Sequence, residues 1–206
     1  AATDRREVVA EVSAGGPLER REAVARLLAG RDDLLVITGL GSPSYDVMAA
    51  GDHPGNYYLW AAMGSAATVG LGLAVAQPAR PVLVITGDGE MLMGLGGLAT
   101  IALQRPPNLT VAVLDNGHYG ETGMQASHAG RGLALEGVAE ACGFPWSRAI
   151  ADSAGLDTLR DRVAARAGLT FAAIKIRPEN PPRVLPPRDG VHVKNRFRAA
   201  LGYPTS

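Results

Sequence analysis

The chain has 206 residues, of which 47% are apolar and 19% charged, enough to bury the core of one sizeable globular domain without covalent staples. Its 20 Lys and Arg balance 20 Asp and Glu, so nothing in the charge asks for nucleic acid or an anionic membrane as partner. The single cysteine, Cys142, excludes an internal disulfide framework, a cysteine-based zinc site and an iron–sulfur cluster held by this chain alone.

In chain order, Ala1 to Val12 is charged and lacks an apolar core, so no secretory leader is expected, and residues 1–16 read as a linker or N-terminal extension. Leu18 to Leu28 predicts a helix with Leu18, Val24, Leu27 and Leu28 on one side. Leu34-Leu35-Val36-Ile37-Thr38 is a short apolar strand, closed by Gly39-Leu40-Gly41-Ser42-Pro43. Gly64 to Ala76 predicts a buried helix of small residues that lets its neighbours approach closely. The weakly polar run that contains it falls short of the ~20 residues of a membrane helix, so a cytoplasmic protein is expected. Pro81 to Thr86 is a second strand, and Met91 to Leu103 one helix that Pro106-Pro107 stops. Leu109 to Leu114 is a third strand, Leu133 to Cys142 a helix ended by Gly143. Leu156, Leu159 and Val163 mark one face of a further helix, closed by Gly168, and Phe171 to Ile176 is a fourth strand. Residues 178–206, rich in proline and basic, predict an arm on the surface or on another subunit.

Continuous apolar strands alternating with helices predict a single doubly wound α/β domain over residues 17–177, its mostly parallel sheet covered by helices on both faces. Such sheets bind ligands beyond the carboxyl ends of their strands. Two segments there carry chemistry. After the second strand comes Gly87-Asp88-Gly89-Glu90, whose glycines allow a tight turn and a close backbone approach, and which opens a helix whose N-terminus suits an anion. After the third strand comes Asp115-Asn116-Gly117, with Asn116 lying 28 residues after Asp88, one strand–helix–strand unit. Either segment alone is a turn signal. Together, on neighbouring strands, they place a carboxylate and an amide oxygen side by side, which suits Mg²⁺ bridging to a diphosphate.

The Gly87-Asp88-Gly89 … Asn116 pattern resembles the thiamine diphosphate motif of the superfamily that includes pyruvate decarboxylase and acetolactate synthase. The resemblance covers Leu18 to Ile176 and implies the diphosphate-binding domain, the thiamine diphosphate-binding fold. It implies that Asp88, Asn116 and the backbone carbonyl of His118 bind Mg²⁺. It further implies a cofactor seat formed by Gly41, Ser42, the turn Gly87-Asp88-Gly89-Glu90, Asn116 and the loop His118-Tyr119-Gly120. Ala61-Ala62-Met63-Gly64 resembles the segment that props the cofactor in its bent shape, with Met63 as the wedge between the rings and the Ala61 carbonyl facing the pyrimidine 4′-amino group. Met63 as a mere core filler is the competing reading. Tyr119-Gly120-Glu121-Thr122-Gly123-Met124-Gln125 and Leu92 to Thr100 resemble sulfopyruvate and phosphonopyruvate decarboxylases, in particular the β subunit of the two-chain sulfopyruvate enzyme. His118, His128 and Glu121 then either face the substrate or are ordinary loop residues.

That resemblance implies thiamine diphosphate and Mg²⁺ as cofactors and a small anionic 2-oxoacid as substrate. The family's pyrimidine-binding domain, with its activating Glu, has no room in this chain. A partner α chain must supply it, in a hetero-oligomer built on dimers. A carboligase related to acetolactate synthase and a 2-oxoacid oxidoreductase subunit are the competing enzymatic readings. A scaffold without chemistry would need neither Asp88 nor Asn116.

Overall fold

Four runs of aliphatic and β-branched residues, buried along their whole length or nearly so, form the middle of the sheet. The structure, a computed structural model, describes residues 16–205; apart from Gly16, the expected N-terminal extension lies outside them. In chain order the elements are α1 (Arg20–Leu28), β1 (Leu35–Thr38), α2 (Ser42–Ala49), β2 (Asn56–Tyr58), α3 (Ala66–Ala76), β3 (Val82–Gly87), α4 (Asp88–Met93) and α5 (Gly97–Gln104). Then come β4 (Leu109–Asp115), the short hairpin strands β5 (His118–Tyr119) and β6 (Gln125–Ala126), α6 (Leu135–Cys142), β7 (Trp146–Ile150), α7 (Ser153–Ala164), β8 (Thr170–Lys175) and α8 (Gly190–Ala200). The main sheet has six strands in the order β2-β1-β3-β4-β8-β7, all parallel, with Gly87 opposite Leu114 and Val84 opposite Val111. This is the doubly wound α/β architecture that the alternating pattern predicts.

Alternate residues of each central strand feed two separate cores, because successive side chains of a strand point to opposite faces. Ile37, Val84, Val111, Phe171 and Ala173 pack against α3, α5, α6 and α8. Val36, Leu83, Ile85, Ala112 and Ile174 pack against α1, α2 and α7. The small residues of α3 act as the sequence predicts: a Cβ on Gly70 would lie 2.2 Å from Val84 Cγ2, so the helix sits directly on β3.

Three departures from the predicted elements matter for the site. The loop after β1 contains α2, which starts with Pro43 in its first turn, where a missing N–H costs nothing. The single helix predicted from Met91 to Leu103 is two, α4 and α5, broken at Gly94-Leu95-Gly96. The segment from 178 onward, expected as an arm on the surface or on another subunit, lies against its own sheet. It ends in α8, capped by the Asp189 carboxylate, which accepts from the N–H groups of Val191 and His192. Phe197 of that helix is buried and stacks edge-on against Tyr57 at 5.3 Å, and Arg196 pairs with Asp52 at 2.6 Å. Val193 and Phe197, four residues apart, make one apolar helix face among basic neighbours, and burial of that face draws the segment onto its own sheet. Among the described residues no helix is long and apolar enough to cross a membrane.

Candidate active site

The chain passes from β1 outward to β2, then crosses back over β1 to β3 and continues to β4, so the winding direction reverses between β1 and β3. A crevice at the carboxyl ends is the consequence of that reversal. A cavity of about 230 Å³ opens there. Its walls include Ser42, Met63, Gly87, Asp88, Gly89, Glu90, Asn116, His118, Tyr119, Gly120 and Glu121. Of the site residues expected from the sequence, Gly41 is buried behind the wall, while Ala61 and His128 are exposed outside it.

Because β3 and β4 are neighbours, Asp88 and Asn116 emerge side by side, and both are almost fully buried. Ser127 donates its hydroxyl to Asp88 Oδ2. Burial pushes the Asp88 carboxyl up to about 6, and the Asp115 carboxylate adds to this against the Ser127 hydrogen bond. Asp115 itself accepts from the Gly117 N–H at 3.0 Å and pairs with Lys175 at 2.5 Å. The turn needs Gly117: its φ is +70°, and a Cβ there would crowd Gly130 at 3.0 Å. Asn116 Oδ1 accepts from the His118 N–H at 2.9 Å. The Asn116 carbonyl, which can only accept, lies 2.8 Å from His118 Nδ1, so Nδ1 carries a proton and Nε2 is left as the free ring nitrogen.

The Glu90 side chain, in the turn expected to seat the cofactor, lines the cavity and is also tied to backbone and to Thr86. One carboxylate oxygen accepts from the Gly64 and Ala66 N–H groups at 3.3 and 3.1 Å, and the other from Thr86 Oγ1. Glu90 thus ties the turn before α3 to the end of β3. On that turn Ala62 takes a left-handed φ of +58°, costly for a residue with a Cβ. Met63, beyond it, reaches the Gly87-Asp88-Gly89 turn, and its Cε would lie 3.9 Å from a Cβ on Gly89. At 41% exposed Met63 fills no core. The turn is also pressed onto the break between α4 and α5, where a Cβ on Gly94 would lie 2.0 Å from the Gly64 carbonyl oxygen. Gly94→Ala therefore forces backbone apart. It should cost about 2–4 kcal/mol, or very roughly 4–16 °C of melting temperature at this chain length, read by a thermal melt.

A second tie closes the other side of the cavity. Glu121 accepts from Ser42 Oγ at 3.0 Å and from Arg183 Nη2 at 2.8 Å. Gly41 has a φ of +79° and packs against the Glu121 side chain, where a Cβ would sit 3.2 Å from Glu121 Cγ. Asn180 donates to the Gly120 carbonyl at 3.3 Å, and Trp60 donates its indole N–H to the Pro187 carbonyl at 2.7 Å. The segment between β8 and α8 is in this way fastened to the loop after β5 by Asn180 and Arg183 and to the residues after β2 by Pro187.

Ser127, Arg20 and Arg183 are site residues that no motif in the sequence marks. Arg20 is 4% exposed and lines the cavity. Ser127 and Arg183 reach the site from loops far along the chain, and no local pattern points to either. Arg20 carries a faint signal, a basic residue on the side of α1 that the apolar residues bury.

A family model described as "Thiamine pyrophosphate enzyme, C-terminal TPP binding domain" matches residues 44–181. The chain is 42% identical over 163 residues to the sulfopyruvate decarboxylase subunit beta of Methanothermobacter thermautotrophicus, covering 79% of this chain and 84% of that one. It is 40% identical over 194 residues to the phosphonopyruvate decarboxylase of Streptomyces viridochromogenes, covering 90% of this chain but 47% of the relative, so it spans about half of that protein. In structure it resembles the thiamine diphosphate-dependent 4-hydroxybenzoylformate decarboxylase of Rhodococcus jostii, with a TM-score of 0.68, 24% identity, and coverage of 85% of this chain and 35% of that one. That likeness is one of fold. With the family model spanning β3, β4 and the turns that carry Asp88 and Asn116, the chain belongs to the thiamine pyrophosphate enzymes, as a C-terminal TPP-binding domain.

Proposed function

We propose that the chain is a β-type subunit of a thiamine diphosphate- and Mg²⁺-dependent 2-oxoacid decarboxylase, and that it holds the diphosphate half of a cofactor site shared with a partner chain. The observation that carries this reading is the pairing of Asp88 with Asn116 at adjoining strand ends inside the cavity. The donor set fits Mg²⁺. Asp88 is a buried carboxylate with no basic side chain bonded to it among the described residues, so it lacks the counter-charge that a divalent cation supplies. Among the described residues no group of three or more His, Cys, Asp or Glu could hold a metal ion. Mg²⁺ takes few protein oxygens and completes its shell from phosphate and water. Asp88 and Asn116, with a backbone carbonyl from His118, would hold the ion, and the Gly87-Asp88-Gly89 backbone would seat the diphosphate.

When bound, the cofactor supplies an electron sink for the pair released as a 2-oxoacid loses CO₂. The chain's part is orientation and exclusion of water. Met63, which reaches the Gly87-Asp88-Gly89 turn, would act as the wedge between the cofactor's rings, and the Ala61 carbonyl would accept from the pyrimidine amino group. His118 lines the cavity, and with Nδ1 engaged by the Asn116 carbonyl, Nε2 is the ring nitrogen that would meet a substrate. The substrate is a small 2-oxoacid with a second anionic group, the class named in the relatives. A partner chain is supported by the carboxylates themselves. Glu90 is bound to Thr86, Gly64 and Ala66, and Glu121 to Ser42 and Arg183, so neither is free to activate the pyrimidine. Exposed Met63, Val75, Met93 and Leu103, on the turn and on α3 to α5, offer the partner an apolar surface.

Calorimetric titration of the chain with thiamine diphosphate tests the reading: binding with Mg²⁺ and none with chelator is expected, and no binding with Mg²⁺ overturns it. In the assembled enzyme, Met63→Ala is expected to lower turnover about 10-fold or more while cofactor affinity changes less than about threefold, because the wedge sets geometry and the diphosphate end sets affinity. Steady-state rates beside cofactor titrations measure this, and wild-type turnover would remove the wedge.

A further inference from the structure

Among the described residues Arg20 is the only lysine or arginine in the cavity wall. Its guanidinium is pinned on two sides. Nε donates to Asp46 Oδ2 at 2.7 Å, and Nη1 donates to the Glu179 carbonyl at 3.3 Å. Among the described residues Nη2 makes no hydrogen bond. Asp46 is 2% exposed and sits on α2, one turn past Ser42; Arg21 Nε also approaches it, at 3.8 Å. Two guanidinium groups thus face the Asp46 carboxylate, with the Glu19 carboxylate close enough to act on it as well.

A buried ion pair is no stabilising necessity, since apolar side chains of the same volume commonly do as well or better. What the pair achieves here is orientation. A planar fork with two of its edges fixed presents the remaining N–H groups in one direction at little further entropic cost, the arrangement that recognises phosphate and related oxyanions. The other charged side chains in the wall, Asp88, Glu90 and Glu121, are all acidic.

We propose that Arg20 is a binding residue for a tetrahedral oxyanion, received at Nη2, with Asp46 as the residue that positions it. The inference rests on the function proposed above and deepens it. Two sources present this chemistry in the same cavity: the cofactor's diphosphate and the second anionic group of the substrate.

Two probes separate them. Inorganic pyrophosphate with Mg²⁺ is titrated into the free chain, and 3-sulfopropanoate, an unreactive dianion, into the chain saturated with thiamine diphosphate and Mg²⁺. Because Arg20→Met leaves Asp46 buried and short of a partner, the main variant is Arg20→Met with Asp46→Leu, which removes both charges; Arg20→Lys, which keeps a charge against Asp46 without the fork, is the second. Loss of about 10-fold or more in affinity for one probe by calorimetry, in a variant whose melting temperature stays near wild type, is expected. Loss for pyrophosphate assigns the cofactor, and loss for 3-sulfopropanoate alone assigns the substrate. Wild-type affinity for both probes in a folded variant overturns the inference and leaves Arg20 as a counter-ion of Asp46. A wild-type chain that binds neither probe overturns it as well. Arg20-dependent binding of pyrophosphate in a chain that does not bind thiamine diphosphate would sink the cofactor reading and leave Arg20's role standing.

Discussion

Asp88→Asn is expected to make the ligand-free chain more stable near neutral pH while removing Mg²⁺-dependent cofactor binding. Asp88 is 2% exposed, and burial holds its carboxyl at about 6 in the folded chain. A carboxyl raised above its unfolded value binds more protons when folded, so its contribution falls as pH rises through the window from about 4 to about 6 and stays unfavourable above it. A shift of that size corresponds to about 2–3 kcal/mol. Asparagine has the same shape and no charge, and the Ser127 hydroxyl can turn to accept from its amide. The variant should melt about 4–10 °C above wild type at about pH 7.5, with the gap closing near pH 4. Addition of thiamine diphosphate with Mg²⁺ should reverse the order, because ligand binding stabilises only the chain that binds. Affinity should drop about 100-fold or more, the loss expected when a buried charge–metal contact is removed. Differential scanning fluorimetry across pH, with and without ligands, reads both halves. A variant that still gains wild-type stability from cofactor and Mg²⁺ would show that Asp88 holds no metal.

The second large effect concerns the chain on its own. With cofactor and Mg²⁺ present, it should release CO₂ from a 2-oxoacid at about one thousandth or less of the rate of the complete assembly, the scale of loss when a general acid–base partner is missing. Adding a chain that carries a pyrimidine-binding domain should restore turnover and raise the light-scattering mass to that of a hetero-oligomer. The contact surface should include the exposed apolar side chains of α3 to α5. It should not require α8, which is spent on the chain's own sheet. Full activity from the isolated chain would overturn the shared site.

The central strands and the two turns that bring Asp88 and Asn116 into the cavity wall are legible in the sequence for one reason. A strand buried on both faces of a parallel sheet must be apolar without interruption, so β1, β3, β4 and β8 stand out, and the turn after each is automatically at the ligand side. Asp88 and Asn116 are found because they sit directly after such runs. The edge strands escape: Asn56-Tyr57-Tyr58 is three residues long, and Trp146-Ser147-Arg148-Ala149-Ile150 is half exposed. The break at Gly94 escapes because its cause is Gly64, thirty residues earlier and in another element. The same holds for Glu90, legible as part of the turn but not as the clamp on Gly64 and Ala66, and for Ser127 and Arg20. Each of these depends on which distant backbone the sheet order delivers, and spacing along the chain contains no record of that.

The two-sided burial of β3 and β4 also sets a gradient of motion across the site. Both strands are flanked by hydrogen-bonded neighbours and covered on each face, so their amides can exchange with solvent only when the whole domain opens. Asp88 and Asn116 lie one residue past their ends. Residues 118–126, by contrast, rest on a two-pair ladder and a handful of side-chain ties, and open locally at small cost. Deuterium uptake should therefore change from the slowest to among the fastest in the molecule within a few residues of Asn116. The phosphate end of a ligand would meet rigid ground, while the wall formed by the loop after β5 would be free to yield.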